Sequence, residues 1–259
     1  MVTQKAPVLS QHEKNAMLII TGITNFACLP AIYLMYQKKL YYQFYLGLFT
    51  FITSFMYHSM ESVDWNKVYL DRGTWHKLDN IGSICCFQSL FVYFMDNLHY
   101  KKGKYYSRHV SDTDMQLNMV SLLITLLMQA HHPWLLENTI IPILIFVFLF
   151  LVSMLLGRRP RFNLYFLKRG LGMLAIAVCC FIKGLDEFSD YLRIYHGLWH
   201  CFIGFGSFFL WQAIDKDRQD ARQIYKFESQ PRFAFFRVLF NILTFRSYHY
   251  EEIDLHKRL

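Results

Sequence analysis

The chain has no cysteine outside its apolar runs. All six, Cys28, Cys85, Cys86, Cys179, Cys180 and Cys201, fall inside them. A loop-stapling disulfide framework of the small secreted kind is thereby excluded, and the thiols read as small buried hydrophobes. There is also no Gly/Ser linker, no low-complexity tract and no short-period repeat. That excludes a repeat array and leaves one domain with a polar tail. Gln11, His12, Glu13, Lys14 and Asn15 precede the first apolar run where a signal peptide would have a basic segment, and no small-residue cleavage site stands out at its end. The run is read as a retained helix. The net charge of +8 comes with no zinc-finger, helix-turn-helix or RNA-binding signature. Its basic residues sit in short clusters between apolar runs, so nucleic acid is not an expected partner.

What the chain does have is apolar length. Of 259 residues, 54% are hydrophobic and 18% aromatic, above the usual soluble range. They form runs of about 18 to 22 residues, enough to cross a hydrocarbon core of roughly 30 Å at 1.5 Å per helical residue. Most of these runs lack the polar face of a soluble amphipathic helix. The spans predicted are 16–36, 40–58, 78–97, 115–131, 136–156, 167–183 and 193–214. The span 136–156 is the strongest, and 115–131 the weakest because Gln116, Asn118 and Gln129 interrupt it. The expected fold is an all-α, polytopic seven-transmembrane-helix bundle over 16–214, with a short N-terminal tail at 1–15 and a basic, Phe-rich tail at 215–259.

Loop charges set the expected orientation. Lys38 and Lys39 follow the first span; Lys101, Lys102, Lys104 and Arg108 the third; Arg158, Arg159, Arg161, Lys168 and Arg169 the fifth. The intervening loops are uncharged or mixed, with Asp186, Glu187 and Asp190 after the sixth. Positive segments stay cytoplasmic, which puts the N-terminus outside or lumenal and the C-terminus inside. The expected location is a multi-pass position in the plasma membrane or an endomembrane. In the tail, Pro231 opens a stretch with Phe233, Phe235, Phe236, Leu239, Phe240, Ile242, Leu243 and Phe245, interspersed with Arg232, Arg237 and Arg246. It fits an interfacial helix on the cytoplasmic leaflet or a helix packed on the bundle.

Ionisable groups at membrane depth are rare and usually functional. Three clusters stand out: Ser54 to His58 closing the second span, Asp79 with Ser83 opening the third, and His196 with His200 opening the seventh. Residues four apart share a helix face, so His196 and His200 form a bidentate pair and Ser54 projects with His58. The alternating span direction brings all three clusters to the outer side. Three histidines are the ligand set of many catalytic zinc sites and leave a fourth position for water. Asp79 would serve as general base on that water or orient it, and Ser54 would donate to a developing oxyanion. Plainer readings stand beside these. A lone membrane-edge histidine is more often hydrogen-bonded than ligating, Asp79 at a helix start is a plausible N-cap, His76, His131 and His132 read as solvated loop residues, and Ser83 reads as small packing beside Gly82.

Taken together, SxxxH, an Asp opening the next helix and HxxxH opening the last resemble the CREST superfamily of seven-helix membrane hydrolases. That group includes alkaline ceramidases, the adiponectin/progestin receptors and remodelling proteins of GPI anchors. Ser54-x-x-Tyr57-His58, Leu78-Asp79-x-x-Gly82-Ser83 and Tyr195-His196-x-x-Trp199-His200 are similar to the transmembrane protein 8 / myomaker family. The resemblance covers residues 16–214. It implies zinc held by His58, His196 and His200, with Ser54 and Asp79 in the catalytic site. The family includes a phospholipase A2 acting on GPI-anchored proteins and a muscle-cell fusion protein. Only residues 1–15 precede the first span here, where that phospholipase has a large extracellular domain, and the Phe- and Arg-rich tail is longer than myomaker's. Fold and site therefore transfer better than substrate.

The expected function is a zinc-dependent membrane lipid hydrolase, phospholipase- or ceramidase-like, cleaving an ester or amide of a membrane lipid or a lipid-anchored substrate. The alternative is a non-enzymatic, myomaker-like remodelling or fusion protein, against which the retained Ser54 and Asp79 argue. A seven-helix receptor lacks its usual paired loop cysteines and cytoplasmic motifs here, and a proton or ion channel is the remaining class.

Overall fold

The computed structural model describes residues 9–63, 67–95, 112–156, 160, 162–186 and 188–214. Its elements in chain order are α1 (Gln11–Met17), a π-helical turn (Leu18–Ile23), a 3-10 turn (Asn25–Cys28), α2 (Leu29–Gln37), α3 (Tyr41–Val63), α4 (Arg72–Phe94), α5 (Asp112–His131), α6 (Glu137–Leu155), α7 (Leu164–Gly184) and α8 (Ile194–Leu210). A two-residue antiparallel ladder, β1 (Lys67–Val68) with β2 (Leu70–Asp71), joins α3 to α4. The stretch from α1 through α2 is one continuous rod, Gln11–Gln37, so the described residues make seven helical rods. The Phe- and Arg-rich tail and the basic residues Lys101, Lys102, Lys104, Arg108, Arg158, Arg159 and Arg161 lie outside the described residues.

Each rod starts and stops for a local reason. Ser10 and Glu13 form a capping box on α1: Glu13 N donates to Ser10 Oγ, and Ser10 N donates to Glu13 Oε2 at 2.8 Å. Two orphan amides are satisfied reciprocally. Pro30 has no N–H to give, and the rod passes through its 3-10 turn just before it. Lys39, at φ 56°, reverses the chain after α2, where Leu40 N donates to Met35 O at 2.9 Å. Asp71 caps α4 by accepting from Thr74 N at 2.9 Å. The hydroxyl and amide of Thr74 hold this exposed carboxyl below the usual carboxylate range.

Three rods, Gln11–Gln37, Glu137–Leu155 and Leu164–Gly184, are long and apolar enough to cross a membrane. The surface agrees with this. Leu127, Phe148, Leu155 and Ile182 are more than half exposed, whereas Thr21, His58, Gln88, Asn118 and Gln129 are enclosed. A water-soluble core is arranged the other way round. An apolar exterior over a hydrogen-bonded polar interior is what lipid solvation selects, and the protein is a membrane protein on that ground. α8 has only 17 residues, and α3, α4 and α5 hold polar side chains that lower their hydropathy.

Those polar residues have a geometric reason in α5. Asn118, Ser121, Thr125 and Gln129 recur every three or four positions and are all completely buried, so the interruptions of the weak fourth span are one inward face. Ser121 Oγ and Thr125 Oγ1 donate to Gln88 Oε1 at 2.5 and 3.0 Å, and Gln88 Nε2 donates to the Pro142 carbonyl at 3.0 Å. Pro142, inside α6, frees the carbonyl of Asn138 four residues earlier. Gln129 Nε2 takes that carbonyl at 3.0 Å. The sequence marks Gln129 as an irregularity; in the fold it repairs a proline. Gln88→Ala strands two hydroxyls and a carbonyl and is expected to cost about 1–3 kcal/mol, read as a lowered unfolding midpoint in detergent.

The packing of α8 positions the site. A Cβ on Gly204 would meet the carbonyl carbon of Ala27 at 2.6 Å, and one on Gly197 would meet Ile20 O at 2.7 Å. The two glycines lie two turns apart on one face, so α8 presses backbone to backbone on the first rod. At the far end of α8 the Trp211 carbonyl accepts from Lys38 Nζ and from Tyr93 Oη, the latter at 3.3 Å. Met35, Leu40, Tyr93, Phe94, Leu210 and Trp211 share the hydrophobic cluster at that end.

Candidate metal centre

The opposite end of α8 carries the histidines. His58 lies in the last turns of α3 and is 2% exposed; His196 and His200 lie in the first two turns of α8. Their rings converge. His196 Nε2 is 3.2 Å and His200 Nε2 3.1 Å from His58 Nε2, and the three potential ligand atoms fall within 4.8 Å of one another.

This donor set fits a metal ion better than it fits itself. Three nitrogens each roughly 2.0–2.1 Å from a tetrahedral ion stand about 3.3 Å apart, close to the two spacings from His58 Nε2, and all three fall within 4.8 Å of one another. Without an ion, two nitrogens crowd the single lone pair or single N–H of His58 Nε2, and an imidazole nitrogen cannot serve both well. The residues His58, His196 and His200 form a group that could hold a metal ion.

Neighbouring groups hold the backbone that presents His58 and His196. Ser62 Oγ donates to the His58 carbonyl at 2.7 Å and lies 3.4 Å from Thr21 Oγ1 of the first rod. α8 begins at Arg193, which has φ 59° and no side-chain cap of its own. Asp190 supplies the cap: its carboxylate accepts from Tyr195 N and His196 N, both at 3.1 Å. Two orphan amides and the helix dipole thus hold the turn that presents His196. Asp186, in the same connection, is held below the usual carboxylate range by the hydroxyl and amide of Ser189. Gly184 lets α7 approach α8, since a Cβ there would lie 3.1 Å from His196 N.

Asp79 and Ser54 join the histidines. The Asp79 carboxyl accepts from Ser83 Oγ at 3.4 Å, lies beside Ser54 and is within electrostatic reach of His58. Ser54 Oγ is buried beside that carboxyl. All five residues singled out in the sequence therefore meet at one end of the bundle.

Four expectations are corrected. Asp79 does not cap its helix: α4 begins at Arg72 and Asp71 is the N-cap, so Asp79 lies two turns inside. His76 is not a solvated loop residue: it is on α4, stacked on Trp134 at 3.7 Å between ring centroids and packed against Tyr57 at 4.8 Å. Ser83 is more than packing beside Gly82, because it donates to Asp79. His131 and His132 are exposed, as expected, but His131 is the last residue of α5 and not a loop residue.

Glu61 and Arg193 went unread in the sequence. Glu61 Oε2 lies 3.3 Å from His58 Nδ1, and Arg193 Nη2 donates to Glu61 Oε1 at 2.7 Å. The signal was a pair of opposite charges, one a turn beyond His58 and one just before His196. Ending the second span at 58 hid it.

The family described as "protein of unknown function (DUF3522)" matches residues 13–201. The chain belongs to this family. The matched stretch of this DUF3522 member contains all five candidate residues together with Glu61 and Arg193, and ends one residue after His200. No curated protein matches the chain.

Proposed function

We propose that this DUF3522 chain is a zinc-dependent membrane lipid hydrolase of the CREST type, akin to the transmembrane protein 8 / myomaker family. In this reading all seven rods cross the bilayer, with the N-terminus outside or lumenal and the C-terminus cytoplasmic. Lys38, Lys39 and Lys168 then mark the cytoplasmic end, remote from the histidines. The observation that carries the reading is the convergence of three Nε2 atoms beside a carboxyl and a buried hydroxyl.

Zinc, when bound, supplies Lewis-acid polarisation and a water acidic enough to react near neutral pH. The protein's own groups do the rest. His58, His196 and His200 bind as neutral imidazoles. Asp79 takes the proton of the attacking water on its carboxylate and returns it to the leaving oxygen or nitrogen. Ser54 Oγ–H donates to the carbonyl oxygen as charge develops there. His200 is the seventh residue of α8, about 10 Å along the axis. The site thus sits near the boundary between headgroups and hydrocarbon, where acyl carbonyls of lipids are found.

The test is the purified chain in lipid nanodiscs. About one zinc per chain is expected, with release of fatty acid from an ester- or amide-linked lipid. Chelation should stop release and zinc should restore it. A chain that holds no stoichiometric zinc and turns over no lipid sinks the reading.

A further inference from the structure

A histidine binds a metal through one nitrogen and is steered through the other. His58 Nε2 faces His196 and His200, while its Nδ1 points away from them to Glu61, 3.3 Å distant. Glu61 lies three residues on, one turn further along the same face of α3. Both its oxygens are engaged, Oε2 by His58 and Oε1 by Arg193 at 2.7 Å, with Tyr57 Oη at 3.5 Å from Oε1. It is therefore turned away from the histidine centre and is not a fourth ligand.

Arg193 is fixed in turn. It is the buried residue at φ 59° where α8 begins, its Nη1 donates to the Gly184 carbonyl at 3.2 Å, and its own amide donates to Asp190 O at 2.8 Å. One ion pair thus joins the end of α3 to the end of α7 and the start of α8, the elements that carry His58 and the HxxxH pair.

We propose that Glu61 is the positioning residue of the metal site, holding His58 with its proton on Nδ1 and its Nε2 lone pair toward His196 and His200, and that Arg193 fixes the Glu61 carboxylate for this task. The inference rests on the metal reading above. Chemically the choice is forced. With the proton on Nε2, the Nδ1 lone pair would face a carboxylate oxygen, and an N–H would occupy the place of the ion. With the proton on Nδ1, the carboxylate gains a donor and Nε2 is free to ligate. Carboxylates behind ligating histidines orient the ring and raise its basicity, and their loss costs about 10- to 100-fold in metal affinity.

Zinc affinity of the full chain in detergent, measured by competition with a chromophoric chelator, decides it. Glu61→Ala should weaken zinc by about 10- to 100-fold with all three histidines present. Glu61→Gln, which keeps an acceptor for Nδ1–H, should fall between Ala and wild type. Cobalt substituted into Glu61→Ala should give a shifted d–d absorption band. The metal-free unfolding midpoint, read in parallel, reports any purely structural loss. If Glu61→Ala lowers that midpoint but binds zinc as tightly as wild type, Glu61 is a latch only and the proposal falls. If Glu61→Ala fails to fold, Glu61→Gln carries the same comparison, and an unchanged zinc affinity and cobalt spectrum there overturn it. A wild-type chain that binds no zinc removes the metal reading and this one together. A wild type that binds zinc beside unaffected variants removes this one alone.

Discussion

His200→Ala is expected to reduce bound zinc below one-tenth of the wild-type content and lipid hydrolysis by about a thousandfold or more. The magnitude follows from what is lost. A Lewis acid contributes several kcal/mol of transition-state stabilisation, and each 1.36 kcal/mol is a factor of ten in rate. Two histidines remain after the substitution, and two imidazoles are not enough for a tetrahedral site that keeps one open position. The metal-free fold should hardly notice. His200 touches His58 and His196 through its ring, whereas the backbone packing of α8 rests on Gly197 and Gly204. The unfolding midpoint of the chelated protein should therefore stay within a few degrees of wild type. His132→Ala, at an exposed histidine outside the triad, is the control and should keep its zinc. If His200→Ala retains full zinc, the three-histidine centre is not the binding site.

The sequence made the framework legible because the physics that builds it is local. Length and continuity of apolar runs locate the helices, since a span must bury every backbone group within itself. The i,i+4 spacing of His196 with His200 follows from helix periodicity alone. What could not be read depends on partners far along the chain. Whether a charge near a helix end is solvated or paired is decided elsewhere: Glu61 finds Arg193 132 residues away. α3 therefore continues to Val63, past the point where hydropathy ends it. The polar stretch before Asp79 looks like a loop, yet Asp71 and Thr74 cap it into helix. His76 belongs to that helix for the same reason. Asn118 and Gln129 weaken the fourth span on paper, because hydropathy sums over a helix and ignores which face a residue occupies. In the fold they line the interior, and Gln129 serves a carbonyl that Pro142 leaves open. Sequence-local rules succeed where the helix is its own environment and fail where another helix supplies it.

Asp79→Asn separates chemistry from metal binding more sharply than any histidine substitution. Asn has nearly the shape of Asp and can still accept from Ser83 Oγ, so the buried contact at 3.4 Å survives. It cannot carry a proton between water and leaving group. Zinc should remain at about one per chain, and hydrolysis should fall by about 10²- to 10⁴-fold, the usual worth of a positioned acid–base group. Ser54→Ala should keep zinc as well and lose about 10²- to 10³-fold if its hydroxyl serves the oxyanion. Because Ser54 lies beside the Asp79 carboxyl, the double variant should lose less than the product of the two single losses. The same variant weighs hydrolase against fusion protein. A remodelling protein with a structural metal needs the three imidazoles but no proton carrier. Cell mixing that survives Asp79→Asn, with zinc retained and no lipid turned over by the wild type, would make the metal structural and end the hydrolase reading. Loss of turnover with zinc intact would place the proton on Asp79.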